Sequence, residues 1–253
     1  MIKTVEIKLE APEGIKLTQS TGSVLHGVLM EHLPQDYGEE LHRQTLRPYS
    51  QYLFFDKNRQ GLFWRLTTLT ETAEAIIQEA IMALPAEISL KNKGINLTLL
   101  NKEVIVDTSY SKLAEKYFAN PLKGDLLNFN FLTSCSFKTE GNYAIYPQPN
   151  LLFTSLVNKW NSFSDKEKLD SKGVAAELAQ EVYVADYRLR LQRFSVDGAS
   201  IPGFRGLYAL GMRHNLMANR IIAMLGEFAN YTGIGIKTAL GMGAVSSILA
   251  AKK

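Results

Sequence analysis

The sequence predicts an α+β protein made of two tandem ferredoxin-like domains, each with the order β-α-β-β-α-β. Three observations predict it: segments that alternate polar and apolar residues, apolar stripes with helical spacing, and the same order of elements in both halves of the chain. The junction falls near residues 120–127, which gives an N-terminal domain over 1–122 and a C-terminal domain over 123–253.

The first strand and helix are indicated by alternation and by helix-ending residues. Residues 2–9 alternate as a half-buried strand does. A helix is expected to begin after Ser20 or Thr21, because either hydroxyl can cap its first free amides. It should end near Leu33, since Pro34 cannot continue it.

A hairpin, a helix and a closing strand complete the first domain. Aromatic-rich segments at 50–56 and 61–68 flank four polar residues and predict the hairpin. Thr70 is expected to begin a helix whose apolar residues repeat every three or four positions up to Pro85. Segments 95–100 and 103–107 supply the closing strand region.

The second half repeats this order. The elements predicted there are a strand over 128–138, a helix from Pro149 to Trp160, two long strands over 182–196 and 203–213 around a turn at Asp197–Gly203, a helix over 216–228 and a strand over 244–250.

Composition limits the classes of protein that remain. The 253 residues are 46% hydrophobic and 21% charged, which is ordinary for a globular chain. The single cysteine, Cys135, excludes a disulfide framework within the chain and a thiolate zinc site, and favours a reducing, cytoplasmic compartment. Neither a signal-peptide core nor an apolar run of about 18–20 residues is present, so no membrane association is expected. A net charge of +3 permits an anionic partner.

The segment from Tyr231 to Gly243 concentrates four glycines just before the last predicted strand. A Walker loop is excluded because Ile236, not glycine, precedes Lys237, and a dinucleotide-binding loop would need glycine at Thr238. A flexible connector is the alternative. Interleaved apolar residues favour a loop that packs on a core, and Lys237 favours an anion as its ligand.

Five segments together resemble a known family. They are GIGIKTALGMG, LHGVLMEHL, LHRQTLRPYSQ (41–51), FLTSCSFKTEGNYAIYPQPNLLFTSLVNKWNSFS (131–164) and IPGFRGLYAL (201–210). In this order they resemble the CRISPR-associated repeat-processing endoribonucleases of the RAMP superfamily, over nearly the whole chain. The resemblance implies two ferredoxin-like domains. It also implies metal-independent cleavage of precursor CRISPR RNA within its repeats, without a cofactor, leaving 2′,3′-cyclic phosphate and 5′-hydroxyl ends.

Histidine is the natural catalyst for such a cleavage. Imidazole, with an ordinary pKa of about 6.5, can take a proton from a 2′-hydroxyl or give one to the 5′-oxygen. His42 matches the family's catalytic position, in a helical segment early in the first domain. His26 is our choice for an assisting side chain, with His32 as the alternative. Arg47 matches the family's downstream cation, and Arg43 is its rival.

Other histidines have simpler explanations. A single histidine on a helix is often a core or capping residue, and that interpretation stays open for His26 and His32. These two lie six residues apart, about 240° around a regular helix, so both cannot face one site. His214 is expected to be structural or to contact RNA. A catalytic zinc is not expected because no HExxH or Cys/His cluster occurs.

RNA binding is predicted for a basic strand pair and for the glycine-rich segment. Residues 183–220 hold six arginines and two acidic residues, so one sheet face can meet phosphates or an RNA stem. A solvated face with ion pairs is the alternative. The predicted RNA-binding residues are Arg188, Arg190, Arg193, Arg205, Gly233, Gly235, Lys237, Gly241 and Gly243.

Two other functions are compatible with the same fold. The first is a catalytically inactive RAMP subunit that holds CRISPR RNA in an effector complex. The second is a small-molecule enzyme or regulator that binds a nucleotide in the glycine-rich loop. The sequence leaves open whether the RNA partner is a repeat stem or a single strand, whether effector subunits bind, and whether the chain forms a homodimer.

Overall fold

Two antiparallel sheets form the framework of the computed structural model, which describes residues 1–169, 173–196 and 198–251. The first sheet has five strands in the order β2-β3-β1-β5-β4: β1 (Ile2–Glu10), β2 (Tyr49–Asp56), β3 (Gly61–Thr68), β4 (Glu87–Leu90) and β5 (Ile95–Thr108). Without the short edge strand β4, this is the strand order of a ferredoxin-like sheet.

Helices cover one face of the first sheet, and on the other face Thr4 and Glu6 of β1 are also buried. The helical segments of this half are α1 (Thr21–His32), α2 (Gln35–Arg43), α3 (Glu71–Ala73), a π-helical turn (Glu74–Gln78) and α4 (Glu79–Ala83), followed by α5 (Tyr110–Phe118). Val5, Ile7 and Leu9 of β1 lie in the core beneath them. Thr70 caps α3 as predicted, because its hydroxyl accepts the amide hydrogen of Ala73 at 3.2 Å.

The second sheet has four strands in the order β11-β6-β10-β9, which repeats the arrangement of the first. The elements of this half are β6 (Leu126–Cys135), β7 (Phe137–Thr139), β8 (Asn142–Ala144), α6 (Pro149–Phe163), α7 (Val174–Gln180), β9 (Val182–Val196), β10 (Ala199–Met212), α8 (Leu216–Thr232) and β11 (Val245–Ala250). The predicted α+β class and tandem ferredoxin-like architecture are confirmed.

The two halves are packed together, and α5 contributes to this packing. Tyr110 of α5 stands edge-on against Trp160 of α6, with ring centroids 5.0 Å apart, and contacts Phe228 of α8. The helix therefore belongs by sequence to the first half and by packing to the core of the second. The division at residues 122 and 123 remains our proposal.

Some predicted boundaries are wrong. Segments 95–100 and 103–107 form the single strand β5. The expected turn at Asp197–Gly203 is too long, because β10 already begins at Ala199; Asp197 itself lies outside the described residues. Pro202 lies within the expected turn, but it pairs with Arg193 in the ladder. β6 pairs with β10 only from Phe204 onward. At Pro202, β10 therefore has a neighbouring strand on one side only, and a residue without an amide hydrogen is tolerated.

Within the described residues, none of the helices combines the length and the apolar character that crossing a bilayer would require.

Candidate active site

His42 lies in the last turn of α2, a helix that the element-by-element prediction did not include. Tyr37 and Leu41 are buried one turn apart and fix α2 on the core of the first domain. His42 follows Leu41 and is exposed. An imidazole in this position can reach a substrate that approaches the protein surface.

Arg47 lies against the end of the same helix. Its side-chain Nε donates to the backbone carbonyl of Leu41 at 3.1 Å, so the guanidinium is held beside the residue that precedes His42. A cation at a helix C-terminus also interacts favourably with the free carbonyls. Arg43 is exposed at the last position of α2.

His26 is buried in α1 and contacts a tyrosine. Its Nδ1 and the hydroxyl of Tyr49 lie 2.7 Å apart and share a hydrogen bond, and the two rings are stacked. Burial and, after it, the positive charges of Arg47 and His42 together lower the pKa of His26 to about 3. The three residues predicted as catalytic therefore lie near one another, with His26 uncharged at neutral pH.

The other histidines are separate from this group. His32 is exposed at the end of α1, and its Nδ1 lies 2.8 Å from the carbonyl oxygen of Val28, where it caps the helix. The predicted separation of His26 and His32 around one helix is confirmed, because one is buried and the other exposed. His214 is exposed between β10 and α8.

Burial of neutral His26 predicts a loss of stability in acid. Above pH about 6.5 the imidazole is neutral in both folded and unfolded chains, and its contribution is complete. Between about 6.5 and about 3 only the unfolded chain binds the proton, so the free energy of unfolding falls as pH falls, by up to about 1.4 kcal/mol per pH unit. Urea unfolding at several pH values should show a shallower dependence for His26→Gln than for the unchanged chain; parallel curves would contradict this account.

The glycine-rich segment packs between the two domains. On α1, a Cβ at Gly22 would lie 3.0 Å from the carbonyl oxygen of Leu240, so the loop touches the helix one turn before His26. The side-chain amide of Gln51 links both elements, donating to the carbonyls of Gly22 at 2.7 Å and Ala239 at 3.0 Å. The loop therefore fixes the second domain against the helix that carries His26.

The glycine amides are used inside the protein, contrary to the geometry that the sequence suggested. All four donate to groups of the chain itself: Gly233 to the carbonyl of Ala229, Gly235 to the hydroxyl of Ser155, Gly241 to the carbonyl of Thr238 and Gly243 to the carbonyl of Ser134. Direct phosphate contact by these amides is therefore not supported. Lys237 is the exposed member of the segment.

Sequence reasoning missed Lys159, which supports this loop from below. Its side chain is buried in α6, and its Nζ donates to the carbonyl of Gly233 at 3.0 Å and to that of Thr232 at 3.4 Å. Burial lowers the pKa of Lys159 to about 7. The sequence did hold a signal for a buried lysine, because Lys159 lies between Leu156 and Trp160 on the apolar side of the predicted helix.

Three of the four predicted arginines share one face of the β9–β10 pair. Arg190 lies directly opposite Arg205, and Arg188 lies two residues before Arg190 on the same side of β9. Burial and the charge of Arg190 lower the pKa of Arg205. Arg193 lies on the other face, because it is three residues from Arg190 and successive side chains of a strand alternate between the two faces.

This basic face borders a cleft between the sheets. A cavity of about 390 Å³ is lined by Gln192 and Arg205 of the second sheet and by Phe54 and Phe55 of the first. Residues 17–19, just before α1, form another wall. One arginine, two aromatic rings and the residues that lead into the helix of His26 thus line one groove.

Together these features define a class of protein: two tandem ferredoxin-like domains that carry a histidine group and a cleft lined by an arginine and aromatic rings. The family model described as CRISPR-associated endoribonuclease Cas6 matches residues 129–245. The Cas6 endoribonuclease of Mycobacterium tuberculosis is 34% identical over 244 residues, which are 96% of this chain and 76% of that protein. The Streptococcus thermophilus enzyme is 28% identical over 87% of this chain and 88% of its own.

Solved structures share this fold. A Thermus thermophilus Cas6 has a TM-score of 0.75 at 23% identity, with 98% of each chain covered. A Cas6 product complex has a TM-score of 0.79 at 24% identity, covering 98% of this chain and 100% of the other. The chain belongs to the Cas6 family of CRISPR-associated endoribonucleases.

Proposed function

We propose that this protein cuts precursor CRISPR RNA within each repeat without a metal ion, using His42 as its principal catalytic side chain. The observation that carries the proposal is the position of His42, exposed at the end of α2 beside Arg47. The 2′-oxygen attacks the adjacent phosphorus while the bond from phosphorus to the 5′-oxygen breaks. The products are a 2′,3′-cyclic phosphate and a 5′-hydroxyl.

Each side chain of the group has a distinct role in this reaction. The His42 imidazole removes the 2′-hydroxyl proton, or as imidazolium supplies a proton to the 5′-oxygen, and solvent water takes part in the other proton transfer. The Arg47 guanidinium stabilises the negative charge that develops on the phosphate oxygens. His26, uncharged and hydrogen-bonded to Tyr49, cannot give up a proton at neutral pH as an imidazolium would. We therefore assign His26 to positioning α1 and Tyr49 beside His42.

Cleavage in a chelator tests the proposal. The protein is incubated with repeat RNA in excess EDTA, and the ends of both fragments are identified by mass. Cleavage that leaves a cyclic phosphate and a 5′-hydroxyl supports the proposal. Cleavage that stops in EDTA and returns with Mg²⁺ would contradict it. Tight binding without any cutting would favour the inactive subunit of an effector complex.

The basic face of β9 and β10 is assigned to the phosphates of the RNA. Arg188→Ala together with Arg190→Ala should weaken binding at low salt and make the dependence of log K on log salt concentration shallower by about 1–2, because fewer counterions are released. Filter binding over a salt series measures both effects. The control replaces Lys93 and Lys112, two exposed lysines outside the second sheet, and should change the slope less. Equal slopes for both double variants would remove the arginines from the interface.

A further inference from the structure

Three tyrosines gather beside the β9–β10 pair, on the face opposite Arg188 and Arg190. Tyr187 of β9 lies directly across from Tyr208 of β10. Tyr146, in the segment between β8 and α6, stands edge-on to both rings, at 6.2 Å from Tyr187 and 6.4 Å from Tyr208. We call Tyr146, Tyr187 and Tyr208 the tyrosine platform.

Two of these rings are open to solvent although each is held in place. Tyr187 is 56% exposed and Tyr146 is 44% exposed, while Tyr208 beneath them is 1% exposed. Perpendicular packing fixes the ring of Tyr146 against its neighbours and leaves ring area free. A rigid, partly exposed aromatic surface of this kind can stack against another flat ring.

The buried hydroxyl of Tyr208 points to a polar ligand. No hydrogen-bond partner for this oxygen lies among the residues that the structure describes, although it is shielded from water. Burial and the neighbouring Tyr146 keep the hydroxyl protonated by raising its pKa. A base with an acceptor or donor at its edge could satisfy this group, which a purely apolar partner could not.

Cations around the tyrosine platform favour an anionic strand as the partner. Arg193 is exposed six residues beyond Tyr187, on the same face of β9. Lys138 of β7 is exposed opposite Tyr143 of β8 in the adjoining hairpin. Arg188 and Arg190 line the other face of β9, which is the edge strand of its sheet. An RNA strand that passes this edge therefore meets positive charge on both faces of β9.

We infer that the tyrosine platform stacks unpaired nucleotides of the RNA substrate. The inference rests on the proposed RNA-processing function and adds a binding site for single-stranded segments of the repeat. Stacking needs no base-specific contact, so the tyrosine platform accepts any base. It contributes affinity and register, while the chemistry remains at His42.

Binding measurements with two RNAs test the inference. One is the complete repeat RNA, and the other is its paired core without unpaired flanks. Tyr187→Ala should weaken binding of the complete repeat by about 5- to 150-fold, the range for loss of one stacked base. It should leave binding of the paired core unchanged. Tyr187→Phe, which keeps the ring, should bind both RNAs as the unchanged chain does.

A matched control separates stacking from apolar contact. Leu191 lies on the same face of β9 and is 70% exposed, so Leu191→Ala removes exposed apolar surface without removing a ring. We expect its affinity to stay normal. 2-Aminopurine placed at one unpaired position at a time should be quenched on binding at the stacked position, and Tyr187→Ala should abolish that quenching.

The outcomes separate this inference from the proposed function. Normal affinity of Tyr187→Ala for the complete repeat, or an equal loss on both RNAs, overturns the tyrosine platform. If the flank-dependent loss appears in a protein that never cuts, the tyrosine platform stands and the nuclease proposal falls. If the unchanged chain binds neither RNA, both are overturned.

Discussion

His42→Ala is expected to slow cleavage of repeat RNA by about 10²–10⁴-fold, the usual contribution of a general acid or base. The affinity for RNA should stay nearly unchanged, because the exposed imidazole adds little contact area and the basic face is untouched. Single-turnover cleavage and filter binding measure the two effects. The variant should fold normally, since Tyr37 and Leu41 hold α2 in place.

His32→Ala provides the matched control for this prediction. His32 is also an exposed histidine at a helix end, but it caps α1 through Val28 rather than facing Arg47. Its cleavage rate should equal that of the unchanged chain. A His42→Ala rate within the error of the unchanged rate would remove His42 from the active site, and an equal loss in both variants would indicate a general effect on the fold.

Gly243→Ala is expected to destabilise the whole fold severely. Gly243 has φ +67°, and an added Cβ would lie 1.9 Å from the carbonyl oxygen of Ile234. Left-handed backbone costs about 1–2 kcal/mol for a residue with a side chain. The clash is with backbone, which cannot move aside, so overpacking should add about 3 kcal/mol, the upper end of its usual range. Loss of RNA binding and cleavage should accompany the loss of folding.

Gly141→Ala is the control that measures the cost of the left-handed backbone without a steric clash. Gly141 has φ +81°, and its added Cβ would meet nothing within 4 Å. This variant should lose only about 1–2 kcal/mol. Urea unfolding of both variants gives the comparison. Similar stabilities would show that Ile234 and Gly243, at the two ends of the glycine-rich loop, are not tightly packed against each other.

Local patterns sufficed to predict most of the fold. The apolar positions of 2–9 and the apolar stripe that begins at Ala73 lie in the core, as their spacing predicted. The strand expected to be half-buried is in fact shielded on both faces, because Thr4 and Glu6 are also buried. The π-helical turn at Glu74–Gln78 was not predictable, because its residues suit an ordinary helix equally well. The turn expected at 197–203 was too long, since whether Pro202 can lie in a strand depends on where β6 stops pairing with β10.

The active site was predicted only in part, because its geometry depends on long-range packing. Resemblance located His42, but the burial of His26 follows from contacts with Tyr49, 23 residues away. The glycine-rich segment was correctly read as packed and wrongly read as a set of free amides. Which groups the amides reach, such as Ser134 and Ser155, depends on the second sheet and α6 and leaves no local pattern.

Cleavage of a repeat RNA with a single 2′-deoxy nucleotide at the scissile position tests the central claim most directly. The account predicts that this RNA binds with normal affinity and is not cut, because the attacking 2′-oxygen is missing. Cleavage at the normal rate would show that the nucleophile is water rather than the 2′-oxygen, and the proposed role of His42 would be contradicted.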